Sequence, residues 1–178
     1  MSLNPLKQSA KLFSFVLLSL FLITSCTPSK TEQKSIDIIV SSEGPYFAGG
    51  NSFTLDYQPD LKKLIVDKEL RSEDIVSIKL SSARLSIPND VDISFSNFTS
   101  ASLQVLSDNA PMTSVAILNP ISPNASQAIE MVVSDEADMA PFFKENSFTY
   151  LLDLDFKEDD YSDALKMNLT LNLTIEYK

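Results

Sequence analysis

Leu165-Lys166-Met167-Asn168-Leu169-Thr170-Leu171-Asn172-Leu173-Thr174-Ile175-Glu176-Tyr177 alternates apolar and polar side chains without a break. A strand sends successive side chains to opposite faces, so this period of two predicts a long strand with one dry and one wet face. One dry face per strand is the habit of antiparallel sheets. Phe148, Tyr150, Leu152, Leu154 and Phe156 alternate in the same way. The acidic link from Lys157 to Asp163 predicts that the two strands pair as a hairpin.

Working back along the chain, Ile129–Val133, Val115–Leu118, Leu103–Leu106 and Ile93–Phe95 read as short strands between Asn-, Ser-, Asp- and Pro-rich loops. In Ile75–Ile87 the apolar parity switches from Val76, Ile78 and Leu80 to Ala83, Leu85 and Ile87. A switch without a turn predicts a β-bulge near Ser81-Ser82, where one extra residue flips the face. Ser52–Tyr57 and Ile36–Val40 are further strands, and Ser41–Asn51 between them, holding all three glycines, is a loop. Leu61, Leu64 and Ile65 have helical spacing behind Asp60, which predicts a short helix over 61–69. Met139–Phe143 reads as one helical turn that packs on an open sheet edge. The whole predicts an all-β domain: an antiparallel, immunoglobulin-like β-sandwich of about eight strands with one short helix.

The N-terminus has a different character. Lys7 and Lys11 precede an apolar run from Leu12 to Ile23, and Ile23-Thr24-Ser25-Cys26 ends it with the only cysteine of the chain. About a dozen apolar residues fall short of the roughly 20 that span a bilayer, and the basic–apolar–small layout is that of an export signal. Ile23-Thr24-Ser25-Cys26 resembles the lipobox of bacterial lipoproteins. That resemblance implies cleavage of residues 1–25 and acylation of Cys26 with diacylglycerol and a further palmitate-type chain. Two or more chains give the stable anchoring that one does not. Thr27, not Asp, follows the cysteine, which in that family's sorting rule implies the outer membrane of the cell envelope. Residues 26–35 would then be the lipidated cysteine with a solvated tether, and 36–178 a single domain.

Composition narrows the chemistry. Without residues 1–25 the chain keeps 12 Lys+Arg against 24 Asp+Glu, a formal charge of −12. Such a domain gains nothing from counterion release, so nucleic acid is not an expected partner. The chain has no histidine, and with Cys26 lipidated no thiol remains, so histidine triads, cysteine nucleophiles and His/Cys metal sites are excluded. Three clustered glycines cannot form a phosphate-cradling loop elsewhere. The expectation is a non-enzymatic module without a cofactor, bound to the membrane by its lipid and to an envelope protein or glycan by sandwich loops.

Two stretches carry candidate sites. Gly44–Asn51 joins adjacent aromatics to backbone freedom, and Tyr46, Phe47 and Asn51 are the candidate binding residues. Asp155, Glu158, Asp159, Asp160 and Asp163 are the alternative, a calcium or small-ligand site. Against it, Lys157 interrupts the acids and no glycine follows in EF-hand register. A solvated acidic tip that blunts a strand edge explains the same residues.

Overall fold

Among the described residues, eight strands and two single-turn helices follow one another. They are β1 (Lys30–Glu43), β2 (Gly49–Tyr57), α1 (Leu61–Leu64), β3 (Ile75–Ser86), β4 (Phe98–Leu106), β5 (Thr113–Leu118), β6 (Ala128–Val133), α2 (Ala140–Phe143), β7 (Phe148–Phe156) and β8 (Ala164–Tyr177). The computed structural model describes residues 28–65, 71–89 and 92–178; Cys26 and the signal-like segment lie outside them.

All strand pairs are antiparallel, in the order β1-β8-β3-β6-β5-β4-β7-β2. This order divides into two four-stranded layers, β1-β8-β3-β6 and β5-β4-β7-β2. Among the described residues, the strand ladder that connects them is Ala116–Val133 and Ile117–Val132. The inward faces of both layers share one apolar core. The sandwich of about eight strands is therefore what forms. Its four-plus-four order is that of a jelly roll, a finer statement than the immunoglobulin-like label.

The C-terminal alternation is realised residue for residue. In β8 every odd position from Leu165 to Ile175 is at most 1% exposed, while Lys166 and Asn168 face solvent. Its partners differ from the expectation. β8 does not form a hairpin with β7; it lies between β1 and β3, while β7 lies between β2 and β4 in the other layer. Each of these strands is flanked on both sides within its own layer, so the 157–163 link crosses between layers instead of turning within one.

The parity switch in β3 is a bulge, with a register shift between Leu80 and Ser82. A second shift between Ile75 and Ser77 turns Val76 outward, against the expectation that it shares the buried face of Ile78 and Leu80. β6 pairs only with Ala83–Ser86 of β3, which leaves the first half of that strand without a β6 partner. Residues 138–139 take that place. Ile78 N donates to Asp138 Oδ1 (2.9 Å) and Met139 N donates to Ile78 O (2.7 Å). Asp138 Oδ1 also accepts from Ala140 N (2.9 Å), and α2 then buries Phe142 and Phe143. The helical turn does pack on an open edge.

Three other expectations need correction. β1 starts at Lys30, because residues 30–35 pair with Asn172–Tyr177, so the part of the expected 26–35 tether from Lys30 on is strand. The loop between β1 and β2 shrinks to 44–48 for the same reason, since both strands continue into it. Ile93 and Phe95 are buried, but no strand forms there; a 3₁₀ turn occupies Phe95–Asn97. A short apolar run reports burial without specifying backbone. As expected, Asp60 caps α1 by accepting from Lys62 N (3.2 Å). The helix nevertheless stops at Leu64, where Ile65 is extended, and 66–69 lie outside the described residues.

Burial also sets how stability responds to alkali. Burial pushes the hydroxyls of Tyr46, Tyr57 and Tyr150 above their ordinary value of 10.0. Above that pH the unfolded chain releases protons that the folded chain retains, so stability falls as pH rises. Melting midpoints should be level just below pH 10 and decline above it, with Tyr150→Phe reducing the decline. An unchanged midpoint through pH 11 would contradict the burial of these hydroxyls.

Candidate binding site at one end of the sandwich

Loop 44–48 and link 157–163 meet at one end of the two layers. They are joined as a single antiparallel bridge, with Tyr46 N donating to Asp160 O (2.7 Å) and Asp160 N to Tyr46 O (2.9 Å). Gly44 N donates to Asp163 O (2.9 Å) and Ala48 N to Asp159 Oδ1 (2.8 Å). Two glycines allow this. A Cβ on Gly44 would sit 2.0 Å from Ser162 O, so only glycine admits the approach of the two backbones. Gly49 has φ +100°, a region that side chains with a Cβ avoid.

The bridge decides which aromatic faces inward. Tyr46 is buried, with its ring stacked on Phe53 (centroids 5.7 Å apart) and Phe156 (5.2 Å). Its hydroxyl donates to Ser42 O (2.6 Å) and accepts from Leu165 N (2.8 Å). Tyr46 is thus a core residue that ties the loop by its hydroxyl to β1 and β8 of one layer and by its ring to β2 and β7 of the other. Asn51 is a staple as well: Nδ2 donates to Phe47 O (2.7 Å) and Gly49 O (3.0 Å), and Oδ1 accepts from Phe47 N (3.3 Å). Of the three expected binding residues, Phe47 is the most open to solvent, at 59% exposure, while Asn51 is half-buried and Tyr46 buried.

The second exposed ring escaped the sequence reading. Tyr161, 75% exposed, follows Asp160 just as Phe47 follows Tyr46. Both exposed rings thus sit one residue after a bridged partner, on two segments that the bridge holds side by side. The Tyr161 hydroxyl donates to Asp159 Oδ2 (3.4 Å). The available signal was that Tyr161 is the lone aromatic of an otherwise polar link.

The acidic residues do not converge. Asp159 holds Ala48 N and the Tyr161 hydroxyl; Asp160 Oδ1 accepts from Ser162 N (2.8 Å) and Ser162 Oγ. Asp155 lies on the outer face of β7, whereas Glu158 and Asp163 are exposed. Among the described residues no three acidic side chains are placed to share a cation. Beside the bridge, Ser96, Asn97, Phe156 and Lys157–Asp160 line a polar cleft of about 260 Å³. Lys157 Nζ is tied there to Ser96 O (2.6 Å). A larger, open depression of about 730 Å³ between Gln58–Lys63 and Arg71–Glu73 lies at the other end of β2. Its ion pairs, Lys63–Asp60 (2.9 Å) and Arg71–Glu73 (3.0 Å), are largely exposed and contribute little.

No family model matches this chain, and no curated protein matches it significantly. Among solved structures, it is similar to one described as the structural basis for the promiscuous specificity of carbohydrate-binding modules from the β-sandwich superfamily. That match covers 84% of this chain and 57% of the other, at 8% identity and a TM-score of 0.31. A likeness that loose leaves the question of ligand to the residues described above.

Proposed function

We propose that this chain is an envelope lipoprotein, held to the outer membrane by acylated Cys26, whose sandwich is a non-enzymatic module that binds a protein or a glycan through its loop end. The observation that carries the binding half is the pair Phe47 and Tyr161, two large exposed rings on loops fastened to each other and to the core. Rigid aromatics displayed on a scaffold supply contact area at small entropic cost, which is why they dominate recognition surfaces. The lipobox-like Ile23-Thr24-Ser25-Cys26 supports the anchoring half. Among the described residues no helix is long and apolar enough to cross a membrane.

Each half has its own test. Cys26→Ser should move the protein from the membrane fraction to the soluble one, and a wild-type chain already soluble would refute the anchor. A photo-crosslinking side chain at position 47 should give a higher-mass adduct in whole cells, whereas one at Lys166 on the outer face of β8 should not. Equal labelling at both positions, or none at position 47, would refute recognition through this end.

A further inference from the structure

The surroundings of the two rings identify the chemistry of what they meet. The link that carries Tyr161 holds Glu158, Asp159, Asp160 and Asp163 against one cation, Lys157, and Glu43 stands at the end of β1 beside it. Lys157 is already bound to Ser96 O (2.6 Å). The loop that carries Phe47 has no charged residue from Gly44 to Gly50. The rings therefore stand in a field that is negative on balance, on a chain whose acids outnumber its bases 24 to 14.

Resting on the reading of this end as a recognition surface, we propose that the Phe47–Tyr161 pair receives a cationic side chain, arginine or lysine, from a basic segment of a partner protein. A ring face carries partial negative charge and attracts a cation set over it, and arginine stacks on rings as well. The Asp159 contact with the Tyr161 hydroxyl holds a carboxylate beside that ring, where it adds to the attraction. Glu158 and Asp163, exposed on the same link, are free to meet further basic residues of the segment. Complementary charge of this kind raises association rates and rejects anionic partners, including acidic polysaccharides and anionic lipid headgroups.

The test uses the isotope-labelled full chain in non-ionic detergent, followed by amide chemical shifts. The probes are hexa-arginine, its neutral isostere hexa-citrulline, and a neutral N-acetylglucosamine oligomer. Hexa-arginine should shift the Ala48, Glu158 and Tyr161 amides saturably, and hexa-citrulline should do so far more weakly. The double variant Phe47→Ala/Tyr161→Ala removes no charge, yet it should weaken the arginine effect roughly three- to thirty-fold. Shifts near Asp135 and Glu136, an acidic patch elsewhere, should be the same in both proteins and report nonspecific attraction. Equal arginine binding by wild type and double variant would overturn the proposal. If the sugar oligomer shifts the loop amides and hexa-arginine does not, the recognition surface stands and the cationic partner falls. If no probe shifts them, the cationic partner falls, and crosslinking at position 47 decides separately whether the recognition surface stands.

Discussion

Leu171→Ala should lower the free energy of unfolding by about 2–5 kcal/mol, because the site is closed on all sides and cannot collapse around the cavity. Leu171 is fully buried, and its backbone lies between Ile36 of β1 and Ala83 of β3. The neighbouring outer-face residue gives the control. Asn172 donates to Ser82 Oγ (2.7 Å) on a partly exposed surface, so Asn172→Ser should cost well under half as much. Chemical denaturation of the full chain in non-ionic detergent measures both. Deleting 164–178 goes further: β1 and β3 would each lose their shared neighbour, and the cooperative melt should vanish. A truncated chain that still melted cooperatively would contradict the central place of β8 in its layer.

Gly44→Ala should have the second-largest effect. Its Cβ would meet a main-chain oxygen, Ser162 O, at 2.0 Å, and a backbone cannot step aside as a flexible side chain can. The loops must part, at a cost of about 1–3 kcal/mol if the strain resembles that of an overfilled core. Parting them also breaks the Tyr46–Asp160 bridge that aims Phe47 and Tyr161. Amide exchange at Tyr46 and Asp160 should accelerate in the variant. Gly50→Ala is the comparison, since a Cβ there meets nothing within 4 Å. Equal exchange in the two variants would show that Gly44 is not the hinge of this contact.

These residues show what the sequence could reveal and where it stopped. The alternation of β8 was legible because burial on one face leaves its mark on every second residue. It names the buried face but not the strands beside it, so it does not separate β7 from β1 and β3 as neighbours of β8. Neighbours are chosen by non-local pairing, and alternation is identical whichever strand provides it. The bulge after Leu80 was legible through the parity switch, whereas the shift at Val76 was not, since a single outward valine leaves no pattern. At the site, glycines beside aromatics marked loop 44–51, but Tyr46 and Phe47 are adjacent and chemically alike. Only the bridge to Asp160, distant in sequence, turns one ring inward and the other outward. Tyr161 is a single aromatic among acids whose pattern points to cations, and no periodicity marks it as exposed.

The early start of β1 also fixes a direction of display. Lys30 pairs with Tyr177, and Glu43, at the other end of the same strand, pairs with Ala164, next to the bridged loops. Fourteen extended residues make β1 a rigid mast of about 45 Å. Anything that grips the chain ahead of Lys30 holds the domain by its foot, with Phe47 and Tyr161 at the masthead. The rings are then presented away from that point of attachment by the fold itself.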